Sequence, residues 1–300
     1  MAINSSQIAS LLRPGLSAVF GDYQFYPSQW TELFETYESD KAVEYETEMR
    51  MLGLGQIRAE GAPTASDVMG QRVISTYINR YVALQFQITR AAIMDNLYKT
   101  KFPLMVKALK KSMAQTKDVL AASVFNNAFD TAFAGGDGKP LCSTTHPIDT
   151  GVYANAPAVS VDLNEASLES ALITTQQFKD QAGLIVMTKA QKLAVAPQGQ
   201  FVSERLLGSA FRTNTPNNDV SAIYNGSYLP KGWVCNQYFT SPNAWFLLTD
   251  AQDGLKHYVR EKIETDVYTD YSTDNLMAKA VERYSFGWSN PRAVYGSNGP

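Results

Sequence analysis

The sequence is short of the residues that most often do chemistry. Its 300 residues include two cysteines, Cys142 and Cys235, and two histidines, His146 and His257. Two cysteines so far apart cannot form a disulfide framework or the clustered ligands of a structural zinc site, so a reducing compartment is the default expectation. Histidine-based metal or acid–base chemistry has equally little material. Long apolar runs are missing: no stretch of about 18 apolar residues occurs, and the opening MAINSSQIASLLRPG lacks the basic start and apolar core of a secretory signal. The chain is therefore expected neither to span a membrane nor to be exported by a signal peptide. An excess of positive charge is also absent, with 26 Lys and Arg against 29 Asp and Glu and a net charge of −3. Tight nucleic-acid binding, which needs basic residues to neutralise phosphates, is not its expected task. Charged residues make up only 18% of the chain, against about 25% in typical domains, while Asn, Gln, Ser, Thr and Tyr are plentiful. Such a surface suits a protein largely covered by copies of itself; an ordinary low-charge domain is the plainer alternative.

What is present is a core-forming content of 45% apolar residues, enough for one elaborated domain or two ordinary ones. Residues 4–12, NSSQIASLL, read as a short capped helix stopped by Pro14-Gly15. Segment 14–43 has no sustained period and reads as an arm that borrows its contacts from elsewhere. From Glu44 the pattern alternates, with Tyr45, Thr47, Met49 and Met51 on one side and Glu44, Glu46, Glu48 and Arg50 on the other, which predicts an exposed strand. A second, longer alternation puts Ile74, Ile78, Val82, Leu84, Phe86 and Ile88 in phase. Between them RAEGAPTASDVMG, 58–70, is rich in Gly, Ala, Pro and Ser. Together these segments predict a long two-stranded ribbon with a loose tip. An isolated ribbon is marginal in water, so it should lie on another domain or another molecule.

The spacing of Phe102, Met105, Leu109, Met113, Leu120, Val124 and Ala128 predicts one long helix, roughly Phe102 to Phe133. Pro103 suits its first turn, and GGDG at 135–138 reads as its terminator. Residues 163–181 predict a second helix with Leu168, Ala171, Leu172 and Phe178 in phase. A buried strand LIVMT follows Gly183, then a strand or turn leading into a helix with Phe201, Leu206 and Leu207 inward. This order suggests a compact α/β unit over 151–239. The remainder, AWFLLTD (244–250), GLKHYVREKIETDVY (254–268) and NLMAKAVERYSFGWSNPRAVYGS (275–297), reads as strands of a sheet packing back on the long helix.

Candidate chemistry concentrates in GGDGKPLCSTTHP, 135–147. Cys142 and His146 could pair as nucleophile and base, but the segment shows neither a group to orient the histidine nor an oxyanion hole, so a turn is the expected reading. His257 reads as a partly buried spacer among strand residues. GGDGK lacks the full phosphate-loop pattern and follows a helix where that loop needs a preceding strand. Asp162, Glu165 and Glu169 at a helix start are expected from the helix dipole alone. No catalytic, cofactor-binding or metal-binding residue is therefore assigned. Charge distribution says more: Glu32, Glu35, Glu38, Asp40, Glu44, Glu46 and Glu48 face a lysine series, Lys99, Lys101, Lys107, Lys110, Lys111 and Lys117. Either the acidic arm and ribbon base rest on the lysine face of a long helix in a neighbouring copy, or the two are independently solvated.

The order of parts, with an N-terminal arm, a ribbon tipped by AEGAP (59–63), one long helix, a central α/β domain and a returning sheet, resembles the major capsid proteins of tailed phages, the Hong Kong 97-type fold. More narrowly, DGKPLCSTTHP resembles the D-G, then Leu or Phe, then His-Pro segment of Mu-type major head subunits. AWFLLTD followed by LKHYVREKIE is similar to the strand pair after the central domain in those proteins. The resemblance implies an α+β fold with an N-terminal arm (1–43), an extended β-ribbon loop (44–88), a peripheral domain with a long spine helix (89–150 and 240–300) and an axial domain (151–239).

The resemblance further implies a non-enzymatic shell protein. Its copies form pentamers and hexamers that close into an icosahedral shell around packaged double-stranded DNA. Implied partners are other copies of the chain, a scaffolding protein, a portal, decoration proteins and weakly held DNA, with assembly in the host cytoplasm and a final place in the virion. Cys142 and His146 would then be structural. Lysine-to-asparagine crosslinking, known in some members, is not expected, because no Lys lies between Lys41 and Lys99; scaffolding is expected to be a separate protein or already removed. The alternatives are an encapsulin-like cargo compartment and an enzyme centred on 151–239.

Overall fold

The computed structural model describes residues 27–94, 102–211 and 219–299, with the side chains of 102–104 outside that description. In chain order its strands and helices are β1 (Glu35–Glu38), β2 (Val43–Arg50), β3 (Gly70–Ile78), β4 (Arg80–Ile88), α1 (Arg90–Met94), α2 (Phe102–Asn126), β5 (His146–Ile148), β6 (Gly151–Tyr153), α3 (Glu165–Gln176), β7 (Ala190–Val195), α4 (Gln200–Gly208), α5 (Ala222–Asn225), β8 (Trp233–Cys235), β9 (Trp245–Thr249), β10 (Leu255–Thr269), β11 (Leu276–Trp288) and β12 (Val294–Ser297). The expected helix over residues 4–12 lies outside the described residues.

Two four-stranded sheets organise the chain, in the orders β1-β10-β11-β4 and β12-β9-β7-β8. The spine helix α2 joins them. At 25 residues it is about 38 Å long. Its first half packs Leu109 and Met113 on Val82, Phe86 and Ala280 of the first sheet. Its second half carries Ala121, Ala122, Val124 and Phe125 into a larger core with Leu33, Phe34, Phe239, Phe246 and Leu255. A separate core under the second sheet gathers Leu168, Leu172, Phe178, Leu193, Trp245 and Leu247. There α3 begins as its sequence predicts: the Asn164 side chain accepts from Ser167 N, and the Ser167 hydroxyl receives the Asn164 N–H, a reciprocal cap.

Several expectations are revised. The helix ends at Asn126, not Phe133, so GGDG is not its terminator. Gly138 takes φ +74° in a later turn, and a side chain on Gly136 would strike the Ile74 carbonyl at 2.3 Å; these glycines allow a close approach to the ribbon. Leu120 points outward, and Asp118 is the residue buried in that turn. The long alternation over 74–88 is two strands in two sheets, β3 pairing with β2 and β4 with β11. The break falls at buried Asn79, whose amide donates to Ser39 Oγ and Lys41 O and accepts from Ser285 Oγ. AWFLLTD and LKHYVREKIE, read as a strand pair, belong to different sheets. LIVMT is not a buried strand: Ile185, Val186 and Met187 are exposed, and Met187 adopts a left-handed φ of +59°. Phe201 is exposed rather than inward, while Leu206 and Leu207 do pack on the second core.

Candidate assembly surface

The segment 135–147 folds into a structural knot. His146 is buried and places Nδ1 2.6 Å from Asp137 Oδ2 and Nε2 3.0 Å from Asn155 Oδ1. The Asn155 amide is held in one orientation, because its nitrogen faces the carbonyls of Leu141, Pro291 and Val294 and its oxygen accepts from Ser143 N. His146 Nε2 must therefore donate. With one nitrogen donating to an amide oxygen and the other engaged by a carboxylate, the imidazole has no lone pair for Cys142. The thiol lies against Gly296 in the core cluster that also holds Phe246, and burial pushes its pKa well above the ordinary value. A buried thiol without a base is inert. The two ends of the D-G and H-P pattern, Asp137 and His146, thus close on each other and tie the exit from the helix to β5 and β12. His257 is likewise enclosed, with its pKa held down to about 3 by burial and by the nearby Lys117, and its ring stacks on Phe286. Among the described residues no group of three or more metal-ligating side chains occurs, and no helix is long and apolar enough to cross a membrane.

The ribbon carries the unusual surface. Along β2 the inward residues are Glu44, Glu46, Glu48 and Arg50, while Tyr45, Thr47 and Met49 are exposed. The register sets Tyr45 opposite Thr76 and Thr47 opposite Ile74, so Tyr45, Ile74, Met49 and Ile78 form one exposed face with apolar side chains on both strands. This is the reverse of an ordinary surface strand, which turns its apolar side to the core. The exposed tip adds Leu52, Leu54 and Ile57. Beside the ribbon base a groove of about 500 Å³ runs between β3, α2 and β11, lined by Ile74, Ile78, Leu120, Phe133 and Trp288 among others. An apolar patch of this extent marks a surface made to be covered.

The acidic arm finds its partners in its own chain. Glu32 pairs with Lys192, Glu38 with Lys262, Glu44 with Lys41, Glu46 with Lys256 and Glu48 with Arg292. Lys117 of the helix pairs at 2.5 Å with buried Glu282 and sits over the Tyr284 ring. Lys99 and Lys101 lie outside the described residues. Five of the seven acids of that segment are thus engaged by cations other than those of the helix, while the expected contact with the helix lysines was placed between neighbouring copies. Periodicity had located the ribbon's two faces; the pairing of its carboxylates with residues more than a hundred positions away had no local signal.

A family model described as phage capsid protein matches residues 72–297. The chain belongs to the phage capsid protein family. No curated protein matches it. Among solved structures this capsid protein is similar to that titled Mycobacterium phage Che8, at 11% identity and a TM-score of 0.56, covering 94% of this chain and 97% of the other. The capsid of Myoviridae phage XM1 is similar at 8% identity and a TM-score of 0.55, covering 97% and 98%. The holo-SrpI encapsulin complex from Synechococcus elongatus is similar at 10% identity and a TM-score of 0.55, covering 97% and 94%. The fold is the Hong Kong 97-type capsid fold. The capsid protein is a structural shell subunit and not an enzyme, in keeping with Cys142 and His146 serving the fold.

Proposed function

We propose that this capsid protein assembles into pentamers and hexamers that close an icosahedral shell around the packaged double-stranded DNA of a tailed phage, each ribbon lying on a neighbouring copy. The observation that carries the reading is the reversed ribbon: its charged face is spent on its own subunit and its apolar face, Tyr45, Met49, Ile74 and Ile78, is left outward. In a free subunit that arrangement exposes apolar surface to no benefit; in a shell it is the contact. The parts are an arm (1–43), an extended loop (44–88) whose two-stranded ribbon ends at Ile78, a peripheral domain (89–150 and 240–300) and an axial domain (151–239). The net charge of −3 suits DNA that must enter and leave freely. A scaffolding protein, a portal and decoration proteins are the further partners, with assembly in the host cytoplasm. Kinship to Mu-type head subunits rests on DGKPLCSTTHP. The encapsulin likeness is one of fold, and the family match favours a phage genome over enzyme cargo.

The test is a Tyr45→Glu, Ile74→Glu variant, followed by sedimentation and circular dichroism. Loss of large assemblies from a folded subunit is expected. Normal assembly would remove the ribbon's outer face from the contact.

A further inference from the structure

The inner face of the ribbon repeats one arrangement three times. Glu46, Glu48 and Arg50 alternate along β2 and so project from the same side, spanning about 14 Å from first to last. Each grips a different part of the body. Glu46 accepts from Lys256 Nζ at 2.6 Å and from the hydroxyls of Tyr258 and Ser289, which belong to β10 and the turn after β11. Glu48 accepts from Arg292 Nη1 at 2.8 Å and from Gln181 Nε2 at 2.7 Å. Arg50 reaches Asp149 at 2.8 Å in the β5–β6 turn and Asp67 at 3.0 Å in the ribbon's own tip. Gln181 and Asp149 are joined in turn by a backbone hydrogen bond. The strand thus bridges the first sheet to the loops around the second.

We propose that Glu46, Glu48 and Arg50 are positioning residues for assembly: they fix the angle at which the ribbon leaves the subunit, and through it the placement of its apolar face on the next copy. The inference rests on the reading of that face as the contact between subunits. Sheet hydrogen bonds do not fix this angle, because among the described residues β2 and β3 pair only with each other. The β3 side adds Tyr77, whose hydroxyl lies 2.6 Å from Ser289 Oγ, and the close approach of Gly136 to Ile74. Charge-assisted bonds are short and directional, so three in a row restrain rotation as well as distance.

The clamp can be opened without stranding its partners. Lys256 also pairs with Asp253 at 2.7 Å. Arg292 also donates to the Lys179 carbonyl and lies over the Tyr153 ring. Asp149 also pairs with Arg72. Replacing the ribbon residues by Gln therefore leaves Lys256 and Asp149 each with an ion-pair partner and Arg292 with a carbonyl, the Asn290 amide and a ring.

The experiment uses a Glu46→Gln, Glu48→Gln, Arg50→Gln variant of the full chain. Spin labels on Gln71→Cys at the far end of the ribbon and Ser170→Cys on α3, with Cys235→Ser, report the ribbon-to-body distance in subunits diluted into unlabelled protein. The parent should give a narrow distance distribution and the variant a broad one, while the unlabelled variant keeps its circular dichroism and loses closed shells roughly tenfold. If the triple variant does not fold, the single Glu46→Gln variant, in which Lys256 keeps Asp253, carries the same readout. An unchanged distribution would overturn the clamp whatever happens to assembly. A broad distribution in subunits that still close shells as the parent does would overturn its role in assembly. A parent that forms no shells would sink the contact reading itself, while the distance measurement would still judge the clamp.

Discussion

At the scale of residues, the two histidines and the cysteine beside one of them serve the fold. Cys142 should resist alkylation in the folded protein, Cys235 being the more accessible thiol, and mass spectrometry after iodoacetamide treatment checks this. Asn155→Ala should be far worse than Cys142→Ser, because it exposes three buried carbonyls, one buried N–H and a histidine to missing partners; a loss of more than about 3 kcal/mol in denaturant melts is expected. His257 gives a pH dependence with a definite sign. Its folded-state pKa lies at about 3, below the ordinary 6.5, so between those values the unfolded chain takes up a proton that the folded chain refuses. Stability should fall as pH drops from about 6.5 towards 3, by at most about 1.4 kcal/mol per unit. In His257→Phe the fall should be shallower. Buried Asp118, whose pKa is raised by burial against the pull of the Trp30 and Gln29 N–H groups, acts in the opposite direction but is common to both proteins. A parallel pH series of urea midpoints measures the difference. The sequence reading of Cys142 and His146 as structural rested on the want of an orienting group, and that ground fails. Asp137, in the same segment, and Asn155 both hold the ring, and it is the engagement of both ring nitrogens that leaves the thiol without a base. Asn155, which holds the knot together, carried no sequence signal.

At the scale of elements, Asp118 shows how the arm enters the body. Its Oδ1 accepts from Gln29 N at 2.8 Å and Trp30 N at 3.0 Å, capping a single turn of 3-10 helix at Trp30–Glu32 from 88 positions away in sequence. Asp118→Ala should cost about 1–2 kcal/mol, as the loss of a cap does, and should make the arm the first site cut in limited proteolysis; an arm as resistant as the parent's would refute the latch. After Trp30 the chain adds β1 in parallel to β10, so the arm borrows contacts first from its own subunit. The spine helix and the strands from Trp245 onward were legible because each buries apolar residues in the same chain over part of its length, although Asp118 interrupts the helix face and the far half of β10 is exposed. The run LIVMT misled for the converse reason: apolar composition signals burial, and in this subunit Ile185, Val186 and Met187 are uncovered. The alternation over 74–88 stayed in phase across Asn79, so periodicity could not reveal that one half leaves the ribbon for another sheet.

At the scale of the whole molecule, the low charge and the uncovered apolar surfaces describe one condition, a subunit whose surface is completed by other copies. Five of the seven acids of residues 32–48 are paired within the subunit, which favours apolar contact over charge pairing as the attraction between copies. Assembly should accordingly persist when salt is raised, and light scattering over a salt series measures it; dissolution of the particles by moderate salt would point back to ionic contacts. The ribbon strands and the long helix were readable from sequence because each leaves a distinct period; the ribbon's orientation was not, since a strand's period names two faces without saying which one meets its own chain. The most direct measurement is electron microscopy of the purified recombinant protein, with particle masses determined on the same sample. Closed shells or capsomer rings are expected. A uniform monomer or dimer, unchanged by crowding agents and by a co-expressed scaffolding protein, would contradict the assignment of this chain as a self-assembling shell subunit.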